Sequence, residues 1–487
     1  MVVATALTAI RRHLGASLAD LEWTVSAYTL SFAVLLMTAA AVGDRLGRRR
    51  VFAAGLAVFA AASAGCALAP DAGALIAARA VQGAGAAAIM PMALALLNGA
   101  FPPARRGWAI GIYGGVTALA AVAGPVLGGA VTQGLGWEWI FWLNVPVALA
   151  AIPLLLARVR EATGTAGRSA GAGREVGRGR LAGESQPGKH RALDLPGLVL
   201  VTVAALGLVW GLIRGNAAGW GSAEVVGALA GGAVAAAGFA AWERRAARPM
   251  LPPRLFRSPA FTSGNIAIFV INASLTGVIF LMPQYQQVVA GQDPLGAGLR
   301  LLPWGIAPLL IGPRAGALAD RIGERTLVVT GSLLQAAGAA WLAAAAGPGS
   351  GYLVLITPMI MIGAGLGLAI PALTRAVTST VPPADIGTAS GAFSTARQLG
   401  GAFGVAVLGA AFAATGSYAT PGAFSHGFVT AFGVAAGLAV AGTAAGTILP
   451  GRGAPSSPVA PAAAGGAPGA GRAPAVSRPA PSSAHLR

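Results

Sequence analysis

Residues 43–50 read Gly43-Asp44-Arg45-Leu46-Gly47-Arg48-Arg49-Arg50, a charged, glycine-punctuated turn between two hydrophobic stretches long enough to cross a bilayer. A related turn returns as Ala319-Asp320-Arg321-Ile322-Gly323-Glu324-Arg325, again between two such stretches. Outward from the pair, more of the chain repeats. Gly83-Ala84-Gly85, Pro91, Pro102-Pro103, Gly107 and Gly111 recur as Gly363-Ala364-Gly365, Pro371, Pro382-Pro383, Gly387 and Gly391, all displaced by 280 positions. Composition alone scatters single glycine matches, but a double proline with its companions in one register marks a duplication. Both copies share one orientation, so the halves are expected to be related by an axis along the membrane normal. That plan belongs to transporters whose halves rock about a central site.

The bulk numbers agree. Of 487 residues 55% are hydrophobic and only 10% charged, with a mean hydropathy of +0.71, whereas soluble domains carry about 25% charged residues. The expected fold class is an all-α polytopic membrane protein, because a span satisfies its backbone internally only as a helix. Thirteen spans are read, at about 23–43, 51–70, 75–99, 108–133, 139–157, 194–213, 222–241, 260–283, 297–318, 326–346, 352–373, 387–414 and 424–449. Residues 1–9 look like the tail of a further span. The 72 glycines suit close helix–helix approach in lipid.

A net charge of +18 would fit a nucleic-acid binder, but the arginines lie in loops between spans. With residues 43–50 placed in the cytoplasm, Arg105, Arg106, Arg158, Arg254, Arg257, Arg321 and Arg325 share that side, whereas Asp71, Glu138 and Asp293 fall opposite. Positive-inside topology accounts for the charge, puts the C-terminus in the cytoplasm, and leaves no call for a nucleic-acid partner. The single cysteine, Cys66, excludes an internal disulfide and a multi-cysteine metal site. No basic n-region of a signal peptide follows Met1. The four histidines are scattered, and no nucleophile–base pair or phosphate loop appears, so neither an enzyme nor a metal or other cofactor is expected.

The organisation expected is an N-terminal helix bundle over 1–160 with an incomplete first helix, a disordered cytoplasmic loop over 161–192, and two extra transmembrane helices over 193–242. A C-terminal bundle over 243–450 and a disordered cytoplasmic tail over 451–487 complete it.

Several segments carry a resemblance. The Asp44 hairpin resembles the signature loop of the major facilitator superfamily. Leu75 to Gly85, with Arg79 and Gln82, is similar to that family's second motif, and Gly124-Pro125-Val126-Leu127-Gly128-Gly129 to a motif associated with proton-coupled exporters. Gly136 to Pro146, Arg254-Leu255-Phe256-Arg257 and Arg397-Gln398-Leu399-Gly400-Gly401 also match; Ala120 and Glu138 depart from the pattern. The resemblance covers residues 2–449 and points to the fourteen-helix drug/proton antiporter branch. It implies two six-helix bundles plus two extra central helices. It also implies export of a hydrophobic or amphiphilic compound in exchange for protons across the cytoplasmic membrane. A monomer is expected, although the sequence does not specify the oligomeric state.

The expected gating residues are Gly43, Asp44, Arg45, Gly47, Arg48, Asp320, Arg321 and Gly323, with Asp44 closing against the helix that begins at Gly387. An arginine within a span needs an interior partner, and the resemblance implies that Arg79, with Gln82, takes part in proton coupling. Arg397 is expected to snorkel from the cytoplasmic end of its helix. Gly124, Pro125, Gly128 and Gly129 form the antiporter motif, a kink with a flat face for a neighbouring helix, which the resemblance implies is a contact between the halves. Tyr28, Met90, Tyr113, Asn265, Phe269, Asn272 and Trp304 are candidate cavity linings, suited to amphiphilic molecules, cations among them. Every acidic residue is placed at a membrane rim, Glu22 at the outer one. The family's first-helix aspartate would fall just before Met1. Two other readings stay open: a truncated, non-transporting product, and a uniporter or importer on the same fold.

Overall fold

The computed structural model describes residues 2–158, 194–246, 249–382 and 385–451. The loop over 161–192, all but the first residue of the tail, and Pro383 lie outside them.

The described chain is helical throughout. The first half comprises α1 (Val2–Leu14), α2 (Leu18–Leu46), α3 (Arg48–Ala67), α4 (Ala72–Ala100), α5 (Pro103–Gly134) and the joined pair α6 (Trp139–Trp142) and α7 (Asn144–Arg158). Next come α8 (Leu195–Ala218) and α9 (Ala223–Arg245). The second half has α10 (Pro259–Val288), the broken pair α11 (Pro294–Arg300) and α12 (Leu302–Ile322), α13 (Glu324–Ala345), α14 (Tyr352–Ser379), α15 (Ile386–Thr415) and α16 (Pro421–Thr447). Among the described residues 13 segments are long and apolar enough to cross a membrane, the number read from the sequence.

Most acidic residues at the span ends have local work. Asp20 and Ser17 form a reciprocal capping box at α2, Ser17 N–H donating to Asp20 Oδ2 at 2.8 Å. Asp71, Asp194 and Asp293 accept from the third backbone N–H of α4, α8 and α11 at 2.8, 2.9 and 2.6 Å. A carboxylate there satisfies orphan N–H groups and opposes the helix dipole. Those carboxylates start helices.

The duplication is visible in packing. Gly55 of α3 meets Gly85 of α4, and at the same crossing of the second half Gly331 of α13 meets Gly365 of α14. Side chains on either residue would strike the opposing carbonyl, so both copies need glycine. The turns match as well: Gly47 has φ 100° and Gly323 φ 86°, a left-handed region open to glycine.

Side chains facing away from the interior are apolar, Leu353 (79% exposed) and Val234 (72%) among them, as lipid requires. The extra pair α8–α9 lies along the edge where the halves meet. Val209 and Ile213 of α8 pack with Leu30 and Val34 of α2 from one half and Ala402 and Ala406 of α15 from the other. Asn216 ties α8 to α15 through the Ala410 carbonyl at 2.6 Å.

The halves are joined at the end opposite the two hairpins. Gln133 donates to Asp293 at 3.1 Å and accepts from Leu295 N–H at 3.2 Å; Gln287 donates to the Thr5 carbonyl at 2.9 Å. At the hairpin end Asp44 is half-exposed and bound to Arg48. No atom outside its own helix approaches the position of a Gly387 Cβ. The expected contact between Asp44 and the start of α15 is therefore not made in this conformation.

Candidate functional site

Between the halves lies a cavity of about 600 Å³, bordered by α1, α2, α3, α4, α6 and α7 on one side and α10, α14 and α15 on the other. Its first-half wall is organised by Arg79. Two turns into α4, that guanidinium donates through Nε to the Thr24 carbonyl at 3.0 Å and through Nη1 to Gln82 Oε1 at 2.5 Å. Its carbon sits 4.3 Å from the centre of the Tyr28 ring. Arg79 and Gln82 are three residues apart and so share a helix face. Gln82 passes the chain on, donating to Ser63 Oγ at 3.0 Å. Ser63 also accepts from Asn144 at 3.0 Å and donates to the Phe141 carbonyl at 2.9 Å. The charge is thus fixed by α2, α3 and α6 together.

The facing wall carries Asn272 and Thr276 of α10 with Arg397 and Gln398 of α15. Asn272 donates to the Arg397 carbonyl at 2.7 Å and to Thr276 Oγ1 at 3.3 Å. Arg397 corrects the snorkelling expectation: it borders the cavity, half-buried, and its Nε has no hydrogen-bond partner. The reason is register. Helix α15 begins at Ile386, about 16 Å of helix before Arg397, too far for the side chain to reach the rim. The cavity therefore holds an arginine from each half and no carboxylate on its lining.

Of the residues expected to line the site, Tyr28 and Asn272 border this cavity and the other five do not. Met90 packs against the cluster of Phe32, Leu36 and Ala87. Tyr113 lies on α5, its carbonyl accepting from Thr117. Asn265 donates to the Phe261 carbonyl at 2.7 Å and faces a separate crevice beside Met37. Phe269 rests on Phe403, centroids 5.4 Å apart. Trp304 is buried in a small apolar pocket with Pro125 and Met359, the repeat mate of Arg79. Residue type marked these side chains as interior candidates, but several interior surfaces compete for aromatic side chains, and only the packing separates them.

Gly124, Pro125, Gly128 and Gly129 are buried. The last two are contact surfaces: Gly128 lies on Val2 and Thr5, and Gly129 on the Pro294 carbonyl of α11. Gly298 of α11 returns the contact against Pro125. The motif therefore holds the two halves together. At the second hairpin Arg375 of α14 binds Asp320 at 2.6 Å and Glu324 at 3.0 Å. The first hairpin lacks that arginine, since the mate of Arg375 is Ala95, and Asp44 is bound by Arg48 at 2.9 Å. Arg45 and Arg321 are exposed. Arg254, before α10, pairs with the buried Asp385 at the head of α15 at 2.8 Å.

Two six-helix halves, a cavity between them and repeated hairpins at one end define a multi-pass membrane transporter fold. The Major Facilitator Superfamily family model matches residues 1–405, and the chain belongs to that family. It is 36% identical over 408 residues to a tetracenomycin C resistance and export protein of Streptomyces glaucescens, covering 84% of this chain and 72% of that one. It is 38% identical over 411 residues to the cephamycin export protein CmcT of Amycolatopsis lactamdurans, covering 84% and 80%. A methylenomycin A resistance protein of Streptomyces coelicolor is 33% identical over 439 residues, covering 90% and 86%. Among solved structures, a bacterial homologue of the lysosomal transporter Spinster, inward-facing and unoccupied, superposes with a TM-score of 0.63 over 92% of each chain at 16% identity. The nucleoside transporter NupG does so with a TM-score of 0.60 at 14% identity, over 92% of this chain and 94% of that one. These likenesses show the fold.

Proposed function

We propose that this protein exports a neutral or anionic organic compound across the cytoplasmic membrane in exchange for protons, by rocking its halves about the Arg79–Arg397 cavity. The observation that carries the substrate class is the charge of that cavity: one arginine from each half, no lining carboxylate, and an unpartnered Arg397 Nε. A bound cation would meet two like charges in a medium of low dielectric, whereas a carboxylate, phenolate or enolate would supply the missing partner. Export is supported by relatives named for antibiotic export and resistance. This reading narrows the sequence expectation of amphiphiles with cations included.

The basic hairpins favour the hairpin end as cytoplasmic. The conformation is then closed to the outside, with substrate reaching the cavity from within. Closure of the cytoplasmic side brings Asp44 to the N-terminus of α15, where helix dipole and carboxylate attract. The test is uptake of carboxyfluorescein and of ethidium by energised inside-out vesicles. Preferential, gradient-dependent uptake of the anion supports the reading; preferential uptake of ethidium contradicts it.

A further inference from the structure

Glu22, placed at the outer rim by its position near the start of α2, does not meet water there. It is 2% exposed, and its Oε2 has no hydrogen-bond partner. Among the described residues no basic side chain is within ion-pairing distance of it. What it faces is Gly409 of α15, in the other half: a Cβ on that glycine would run into the carboxylate. A side chain from one half is seated in a notch left by a missing side chain of the other, in the seam that closes the outer end.

The surroundings leave Glu22 as the group that titrates. Arg11 of α1 lies over the Tyr418 ring, 4.3 Å from its centroid, and Tyr418 donates to Gln284. Burial first, then the nearby Glu22, pushes the Tyr418 phenol up, against the pull of Arg11, so Tyr418 stays neutral. From α4, Arg79 is committed to Thr24, Gln82 and Tyr28; from α8, Arg214 is held by Glu224 at 2.9 Å. The sole titratable residue of α15 is Arg397, about 18 Å along the helix from Gly409. Enclosing an ionised carboxylate without a partner is strongly unfavourable, and protonation removes that cost.

We infer that Glu22 is a proton-binding site that latches the outer seam. One proton from the outer solution joins the carboxylate, the neutral acid seats against Gly409, and the halves close. Loss of that proton leaves a charge that must reach water, and the seam opens. The inference rests on the proton-exchange reading above and gives it a titrating group.

The test needs no substrate. Ser26, one turn along α2 from Glu22 and fully buried, is replaced by cysteine in a Cys66→Ser background. Its reaction with a membrane-impermeant maleimide is timed from the outside. Each rate is divided by that of the detergent-unfolded protein at the same pH, which removes the thiol's own ionisation. So corrected, labelling should be about tenfold faster near pH 8 than near pH 5, as titration of a single group produces. Glu22→Gln should make it slow at both pH values. Gly409→Ala, which fills the notch, should make it fast at both. A Glu22→Gln variant that keeps the parent's pH dependence overturns the inference, as does a parent that labels equally, or not at all, at both. Carboxyfluorescein export by the same parent is measured alongside. Export indifferent to the proton gradient defeats the exchange reading, while the labelling result still decides the latch.

Discussion

Arg79 carries more of the site than any other single side chain. It binds a carbonyl of α2, an amide of its own helix and the face of Tyr28, three contacts that need a planar fork and a flat cation together. Lysine keeps the charge and loses the fork. Side-chain hydrogen bonds between membrane helices average about 0.6 kcal/mol, so Arg79→Lys should destabilise the purified protein by only about 1 kcal/mol. Export should nevertheless fall by about tenfold or more, because a charge displaced by an ångström no longer faces its substrate. Thermal unfolding beside vesicle uptake separates the two effects. Asp44→Asn tests the other end of the molecule. Its ion pair to Arg48 is half-exposed and worth at most about 1 kcal/mol. Membrane levels should hold while transport drops, and full transport by this variant would remove Asp44 from the gate.

Among elements, the pairing of α5 with α11 makes the sharpest demand on sequence. Gly129 rests on the Pro294 carbonyl, and Gly298 on Pro125, so backbone meets backbone in both directions. In a Cys66→Ser background, Gln133→Cys with Leu295→Cys should form a disulfide that arrests export, since Gln133 already bonds the Leu295 N–H. Adding Gly129→Val should slow that cross-link by about tenfold, equivalent to about 1.4 kcal/mol favouring the open seam. Element number and order were legible in the sequence, because apolar length and loop charge specify a helical membrane chain directly. The hairpin glycines were legible too, through their repetition. The break between α11 and α12 at Leu301 falls inside a stretch read as one span over 297–318, although Arg300 and Pro303 flank it. The burial of Glu22 was hidden for a related reason. Distance from a helix end fixes depth, and only packing against Gly409 decides whether a carboxylate at that depth meets water.

For the molecule as a whole, the duplication explains the scaffold and its breakdown explains the site. The same glycine crossing holds α3 on α4 and α13 on α14, yet Arg79 has Met359 as its mate and Arg375 has Ala95. Equivalent scaffolds thus present unlike walls to one cavity. The two arginines that face each other across it come from non-equivalent positions, which no repeat analysis could have paired. The account stands on that cavity's charge and on its coupling to protons. The most direct measurement is carboxyfluorescein uptake by energised inside-out vesicles, with ethidium as the cationic control, Arg397→Gln as the site variant, and nigericin to collapse the pH gradient. The account predicts that the anion accumulates, that nigericin abolishes the uptake, and that Arg397→Gln lowers it by about tenfold, the loss of one charge-assisted contact. Accumulation of ethidium in preference to the anion, or anion uptake unchanged by nigericin or by Arg397→Gln, would contradict it.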